Sequence, residues 1–376
     1  MYKLDKFSDM DIVTLEELEE DDEEPAKIKW KKMKRWQKVL LSILMVAVFI
    51  GIGGSATFFV LRAKGGKSLK VEVKQEKADE SGSDKGFFIV HKGKEYRYRE
   101  DIINILCIGV DKEISMEEKE AEAGRLGLAD VIVLVSIDTD KNALKMFAIS
   151  RDTMTDVQMA HRDGTLAEKK EMQLTYQYAY GVDTAQSGKL MMDTVSELMY
   201  RLPVHKYCAI NFQALPVLND AVGGVDITLA EDMTWWRDGY IAGTSLHLDG
   251  QTALEYLRER TGEDGGSNQG RMRRQKEYVM AYLAKAKSVL ASDLSIPVTV
   301  YQQLQEHMST NVTLDEVTYL VSELLNISVN ADELQSLPGE SRAGEKHEEF
   351  YVDREALKEL IIQNFYEEVP NTRDKV

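Results

Sequence analysis

Ile102-Ile103-Asn104-Ile105-Leu106-Cys107-Ile108-Gly109-Val110-Asp111 is a nearly unbroken apolar run that ends in a carboxylate. A run of this kind predicts a central β-strand covered on both faces, since both sides of the pleat must then be apolar. Two similar runs follow. Asp130 opens Val131 to Ile137, and Ala143 to Ile149 leads into Ser150-Arg151-Asp152. Open α/β sheets usually place ligands outside their strand ends, and Asp111, Asp130 and Arg151 stand at the ends of these runs. Upstream, Phe87 to Tyr98 reads as a hairpin turning at Lys92-Gly93. Downstream, apolar spacing predicts helices over Lys189–Leu202, Leu314–Leu325 and Arg354–Phe365, a strand over Cys208–Phe212 and a turn at Gly223-Gly224. The expected fold class is mixed α/β: a central, mostly buried β-sheet flanked by helices.

Arginine is concentrated late in the chain, in Tyr256-Leu257-Arg258-Glu259-Arg260 and Gly270-Arg271-Met272-Arg273-Arg274-Gln275. Its planar fork of N–H donors can grip two phosphate oxygens at once. On an extended strand, Arg258 and Arg260 would share a face. Arg271 and Gln275 would share one on a helix begun near Ser267 or Asn268. Val279, Tyr282, Leu283, Ala286, Val289 and Leu290 supply that helix's apolar side. Arg273 and Arg274 suit a solvated face equally well, and Asp152 suits an orienting ion pair with Arg151.

The 376 residues carry a formal net charge of −17, which argues against non-specific nucleic-acid binding. Val39 to Leu61 holds no charged residue and is long enough to span a bilayer as a helix. Lysines and arginines crowd Lys27 to Lys38 and thin out beyond Leu61, so the positive-inside rule puts the N-terminus in the cytoplasm and the rest outside. The expected layout is an acidic then basic cytoplasmic tail over 1–38, a transmembrane helix over 39–61 and a polar linker over 62–86. An extracytoplasmic domain over 87–369 follows, with its core at about 102–290 and a C-terminal extension over 291–369. The tail has a net charge of −2, which leaves −15 for the remainder. Cys107 and Cys208 sit in apolar runs and suit either buried thiols or a disulfide.

Nucleotide-binding glycine loops, a Gly-x-Ser-x-Gly elbow and a His-Glu-x-x-His pair are all missing from the sequence. Arginines and carboxylates remain. That combination suits a phosphate ester held by arginines and a hard cation held by Asp oxygens.

Several blocks in order carry a resemblance. Ile105–Asp111, Ala129–Asp138, Ala148–Thr153, Tyr176–Gly181, Leu218–Asp226, Leu248–Arg260 and Arg271–Gln275 resemble the motifs of the LytR-CpsA-Psr family, over roughly Ile102 to Ala286. The resemblance implies a membrane-anchored, extracytoplasmic phosphotransferase in the bacterial envelope. Such an enzyme moves a glycopolymer from a polyprenyl-pyrophosphate carrier to a peptidoglycan acceptor and forms a phosphodiester. It also implies that Arg151, Arg258, Arg260 and Arg271, with Gln275, bind the pyrophosphate. Asp111 and Asp130 would hold Mg²⁺, with Asp130 and the first three arginines the catalytic set. The polyprenyl tail would lie in an apolar pocket. The chain departs from the family pattern at Leu128, Gln173 and Asn268, where Arg, Lys and Asp are usual. Arg125, in a possible lid, could replace the lost positive charge in binding substrate. The alternative is a catalytically inactive envelope protein that binds polyprenyl pyrophosphate and senses or regulates.

Overall fold

In the computed structural model the apolar runs become neighbouring strands. The structure describes residues 58–69, 87–111, 116, 126–258, 268–293, 295–327, 334–344 and 347–370, with only the backbone for 268–272. All of these belong to one compact unit, Phe58–Val376.

In chain order, helix α1 covers residues 58–69. The hairpin β1 (Phe88–His91) and β2 (Lys94–Tyr98) turns where expected, with Lys92 and Gly93 at φ of 49° and 77°. Next come β3 (Ile102–Asp111), β4 (Leu128–Asp138), β5 (Ala143–Ala148), β6 (Met154–Ala160) and β7 (Leu166–Gln173). A 3-10 segment, Leu174–Tyr180, leads to α2 (Thr184–Leu198), β8 (Lys206–Asn211), α3 (Ala214–Ala221), β9 (Val225–Thr228) and β10 (Ser245–Leu248). Helices α4 (Gly250–Arg258), α5 (Asn268–Ser292) and α6 (Ile296–Gln303) precede β11 (Met308–Thr310) and α7 (Leu314–Leu324). The chain ends in β12 (Leu334–Ser336), β13 (Gly339–Ala343), β14 (Glu348–Val352), α8 (Arg354–Phe365) and β15 (Tyr366–Glu368).

The central sheet has six strands in the order β11-β8-β3-β4-β5-β12. It is mixed: β3 pairs antiparallel with β4 and parallel with β8, and β5 pairs parallel with β12. Alternation along β3 feeds two cores. Leu106, Ile108 and Val110 face one cluster with Met191, Val195 and Leu198 of α2 and Leu357, Ile361 and Phe365 of α8. Ile103 and Ile105 face another with Leu69 of α1 and Tyr319 and Leu320 of α7. Coverage on both faces is why the run needs no polar alternation. A third cluster joins Val225, Ile227, Leu248, Tyr256 and Tyr278, and so packs β9, β10, α4 and α5 together.

One close approach is tested readily. A Cβ on Gly188 of α2 would stand 2.1 Å from the Tyr207 ring of β8. Gly188→Ala should therefore destabilise the domain by about 1–3 kcal/mol through overpacking, despite alanine's better helix propensity. A melting temperature equal to or above wild type would contradict this packing.

Some expectations are corrected, an open one is settled, and others lie outside the described residues. The polar stretch expected as linker from residue 62 is helical to residue 69. Gly65 and Gly66 press on α7, where an added Cβ would meet the Asp315 carbonyl at 2.1 Å and the Tyr319 ring at 2.8 Å. Arg62 pairs with Glu323 at 3.0 Å and Lys64 with Asp315 at 3.4 Å. Helix α2 begins five residues before Lys189 because Asp183 caps it, accepting from the Gln186 N–H. Cys107 and Cys208 are free thiols, facing each other in register across β3 and β8. Burial pushes the first up to about 11 and the second up to about 12. Among the described residues no helix is long and apolar enough to cross a membrane. The segment 39–61 lies outside them except for residues 58–61, as does the tail 1–38.

Candidate functional site

Four of the expected site residues gather at one edge of the central sheet. Asp111 closes β3, Asp130 lies near the start of antiparallel β4, and Arg151 follows β5 by three residues. Asn211, the last residue of β8, pairs with Val110. The next residue, Phe212, therefore sits beside Asp111 at that edge, and the Arg258 guanidinium lies 4.8 Å from its ring centre. Stacking on an aromatic face holds a guanidinium by cation–π attraction without using its N–H donors.

Arg151 Nη1 donates to Asp130 Oδ1 at 2.6 Å, and its Nε lies 3.8 Å from Asp152 Oδ1. Burial alone would lower the Arg151 guanidinium. The hydrogen bond to Asp130 and the charges of Asp130, Asp152 and Asp111 instead hold it above its ordinary value. Burial pushes the Asp152 carboxyl up, Arg151 pulls it down, and Glu348 and Asp130 push it up again, for a net rise. Asp152 thus has the orienting contact with Arg151 that the sequence suggested.

The loop carrying Arg151 is fixed at every carbonyl. Thr175 N–H donates to the Arg151 carbonyl at 2.9 Å, Phe350 N–H to that of Asp152 at 2.9 Å, and Leu174 N–H to that of Thr153 at 2.8 Å. Thr153 returns two bonds to the Ser150 carbonyl. A charged group on such a loop is preorganised, which is what electrostatic catalysis requires.

The Leu218–Asp226 block supports the arginine helices. Asn219 is fully buried. Its amide donates to the Leu248 carbonyl at 2.9 Å, and its Oδ1 accepts from the Tyr278 hydroxyl at 2.8 Å. Asp220 Oδ1 accepts from the Gly250 N–H at 2.7 Å. Gly224, at φ of 80°, stands where a Cβ would strike the His247 ring at 2.5 Å.

Arg258 ends helix α4, not an extended strand. The missed signal is Asp249, whose Oδ1 accepts from the Thr252 N–H at 2.8 Å and starts the helix. On α5 the inward side is Tyr278, with Ala281, Tyr282, Ala286 and Val289 half-buried, whereas Val279 is 42% exposed. Arg274 is only 4% exposed and pairs with Glu231 at 3.3 Å, so it does not lie on a solvated face. Arg273 also pairs with Glu231. Both arginines thus hold the Glu231 segment. Gln275 is half-buried on α5, one helical turn beyond Arg271. Arg125, Arg260 and the Arg271 side chain lie outside the described residues.

Asp111 and Asp130 offer hard oxygen donors from neighbouring strand ends, a donor set that fits Mg²⁺. Among the described residues no group of three His, Cys, Asp or Glu could hold a metal by itself. Water and substrate oxygens would complete the shell, as is usual for Mg²⁺. Beside the carboxylates lies a partly open apolar face. Cys107, Gly109, Val131, Val133, Cys208 and Ile210 share it by register, and Val131 is 50% exposed.

Known proteins resemble this chain in sequence and in fold. The chain is 27% identical over 324 residues to the polyisoprenyl-teichoic acid–peptidoglycan teichoic acid transferase TagU of Bacillus cereus (strain ATCC 14579), covering 86% of this chain and 95% of that protein. The crystal structure of B. subtilis TagV superposes with a TM-score of 0.51 at 23% identity, over 70% of this chain and 97% of that one. TagT bound to LIIa-WTA gives 0.51 at 21% identity, over 77% and 97%. These structures share the fold. The model of the LytR_cpsA_psr family matches residues 59–364, and the chain belongs to that family.

Proposed function

We propose that the chain is a membrane-anchored transferase that moves a glycopolymer from a polyprenyl-pyrophosphate carrier to peptidoglycan. The observation that carries this reading is the convergence of Asp111, Asp130, Arg151 and Arg258 on one sheet edge. The chain also matches a named teichoic acid transferase over nearly that protein's whole length. An acceptor hydroxyl attacks the phosphorus that bears the glycan. The bond from that phosphorus to the bridging oxygen breaks, and polyprenyl phosphate leaves as the hydroxyl proton is lost. Arg151 and Arg258, with Arg260 and Arg271, bind the two phosphates and neutralise charge growing on the bridging oxygen. Gln275 and Arg125 add polar contacts to the substrate. Asp111 and Asp130 would hold Mg²⁺, which supplies further positive charge at the leaving group when bound. The polyprenyl chain lies along the apolar face of Val131, Val133 and Ile210, where its burial releases water.

The ion pair between Arg151 and Asp130 favours a second reading, an inactive polyprenyl-pyrophosphate binder, because it ties up a phosphate-binding group. The test is release of polyprenyl phosphate from a lipid-pyrophosphate glycan, with Mg²⁺ and a peptidoglycan oligosaccharide. Transfer excludes the inactive reading, and tight binding without release excludes the transferase.

In this proposal residues 39–61 span the membrane, 1–38 stay in the cytoplasm and 87–369 stand outside it. Protease added to wall-stripped cells should then remove the large domain and spare the tail. Loss of the tail with the domain protected would reverse the topology.

A further inference from the structure

We propose that Gln173 is a positioning residue that locks the C-terminal hairpin β13–β14 onto the Arg151 loop and holds Asp152 in place beside Arg151. The inference rests on the transferase reading and deepens it, since it assigns a role to a residue and a hairpin outside the arginine–carboxylate set.

Gln173 ends β7 and is 8% exposed. Its single amide nitrogen donates twice, to Asp152 Oδ1 at 3.0 Å and to the Glu348 carbonyl at 2.7 Å. Both partners are acceptors, so the amide must present its NH₂ group to them. Glu348 begins β14, and two residues on Phe350 N–H donates to the Asp152 carbonyl at 2.9 Å. Thr153 and Phe350 also form a bridge. One buried amide therefore joins three separated pieces: the end of β7, the loop after β5 and a hairpin 175 residues further along. The path continues through Asp152 to Arg151 Nε at 3.8 Å and from Arg151 Nη1 to Asp130 at 2.6 Å.

The chemistry of this position differs from that of a lysine. A lysine ammonium would add a charge beside the phosphate groups. The Gln173 amide adds none, and its two donors go to Asp152 and the hairpin. Arg151 is held by Asp152 on one side and Asp130 on the other. Glu348 comes close enough to raise the Asp152 carboxyl, so the hairpin is also part of the electrostatic surroundings of Arg151. A hydrogen bond to a charged group contributes more than a neutral one.

The test compares wild type with Gln173→Met, which keeps length and removes both donors, and Gln173→Lys, which keeps donors. Turnover of a lipid-pyrophosphate glycan is measured together with hydrogen exchange at the Phe350 amide. Gln173→Met should lower kcat about tenfold, the scale of a lost charge-assisted bond, with a smaller change in KM for the donor lipid. Exchange at Phe350 should speed up in the same variant. Gln173→Lys should stay within about threefold of wild type on both measures, because its donors reach both acceptors. Wild-type turnover and exchange in Gln173→Met would overturn the proposal. So would equal damage in Gln173→Lys, since donation would then not be what matters. A wild-type protein without turnover would remove the transferase reading alone. Exchange at Phe350 would then decide the brace, and an unchanged rate in Gln173→Met would overturn it.

Discussion

Arg151→Ala should cut transfer by about 100-fold to 1,000-fold, the range seen when one preorganised donor to a developing oxyanion is removed. The protein should still fold. The Arg151 side chain is 51% exposed, and its partly solvated pair with Asp130 contributes little to stability. Its loop is held through main-chain bonds from Thr175, Phe350 and Leu174, none of which needs the guanidinium. Arg151→Lys should rescue poorly, because an ammonium cannot bind two phosphate oxygens in one plane. The pair Arg258→Ala and Arg260→Ala should behave alike, as Arg258 is held by stacking on Phe212 and not by a structural ion pair among the described residues. A well-folded Arg151→Ala protein with wild-type turnover would contradict the assignment.

The second large effect concerns the carboxylates. Asp111→Asn should raise the Mg²⁺ concentration for half-maximal activity by about tenfold, since the proposed hard-cation site would lose one of its two protein carboxylates. Excess Mg²⁺ should restore most of the rate. Asp111 is the cleaner probe, because Asp130 also accepts from Arg151 and its change mixes two causes. Among the described residues Asp111 is exposed and closes its strand without such a partner. Unchanged metal dependence in Asp111→Asn would remove it from the site.

Much of this arrangement is legible in the chain itself. The runs at Ile102, Val131 and Ala143 read as central strands because two cores cover them, one under α2 and α8 and the other under α1 and α7. Helix α8 and the Lys92-Gly93 turn also follow from local signals, apolar spacing and left-handed backbone. The ends of those strands, which carry the carboxylates and Arg151, were legible in the same runs, whereas the roles of these residues came from the family resemblance. Other features depend on contacts that no local pattern reports. Period-two spacing suggested a strand at Arg258, where the Asp249 cap makes a helix. Val279 has the right composition for a core position, yet α5 turns Tyr278 inward to reach Asn219. Gly65 and Gly66 look like linker residues, but here their missing side chains let α1 press against α7. The brace at Gln173 spans 175 residues of sequence. Only folding brings its partners together, and the sequence marked Gln173 solely as the place where a lysine is usual.

The most direct measurement of the central claim follows the lipid product. Purified protein is given a polyprenyl-pyrophosphate-linked glycan, Mg²⁺ and a peptidoglycan oligosaccharide, and free polyprenyl phosphate and coupled glycan are quantified together. The account predicts equal amounts of both products, dependence on Mg²⁺ and loss in Arg151→Ala. Tight lipid binding with neither product formed would contradict it.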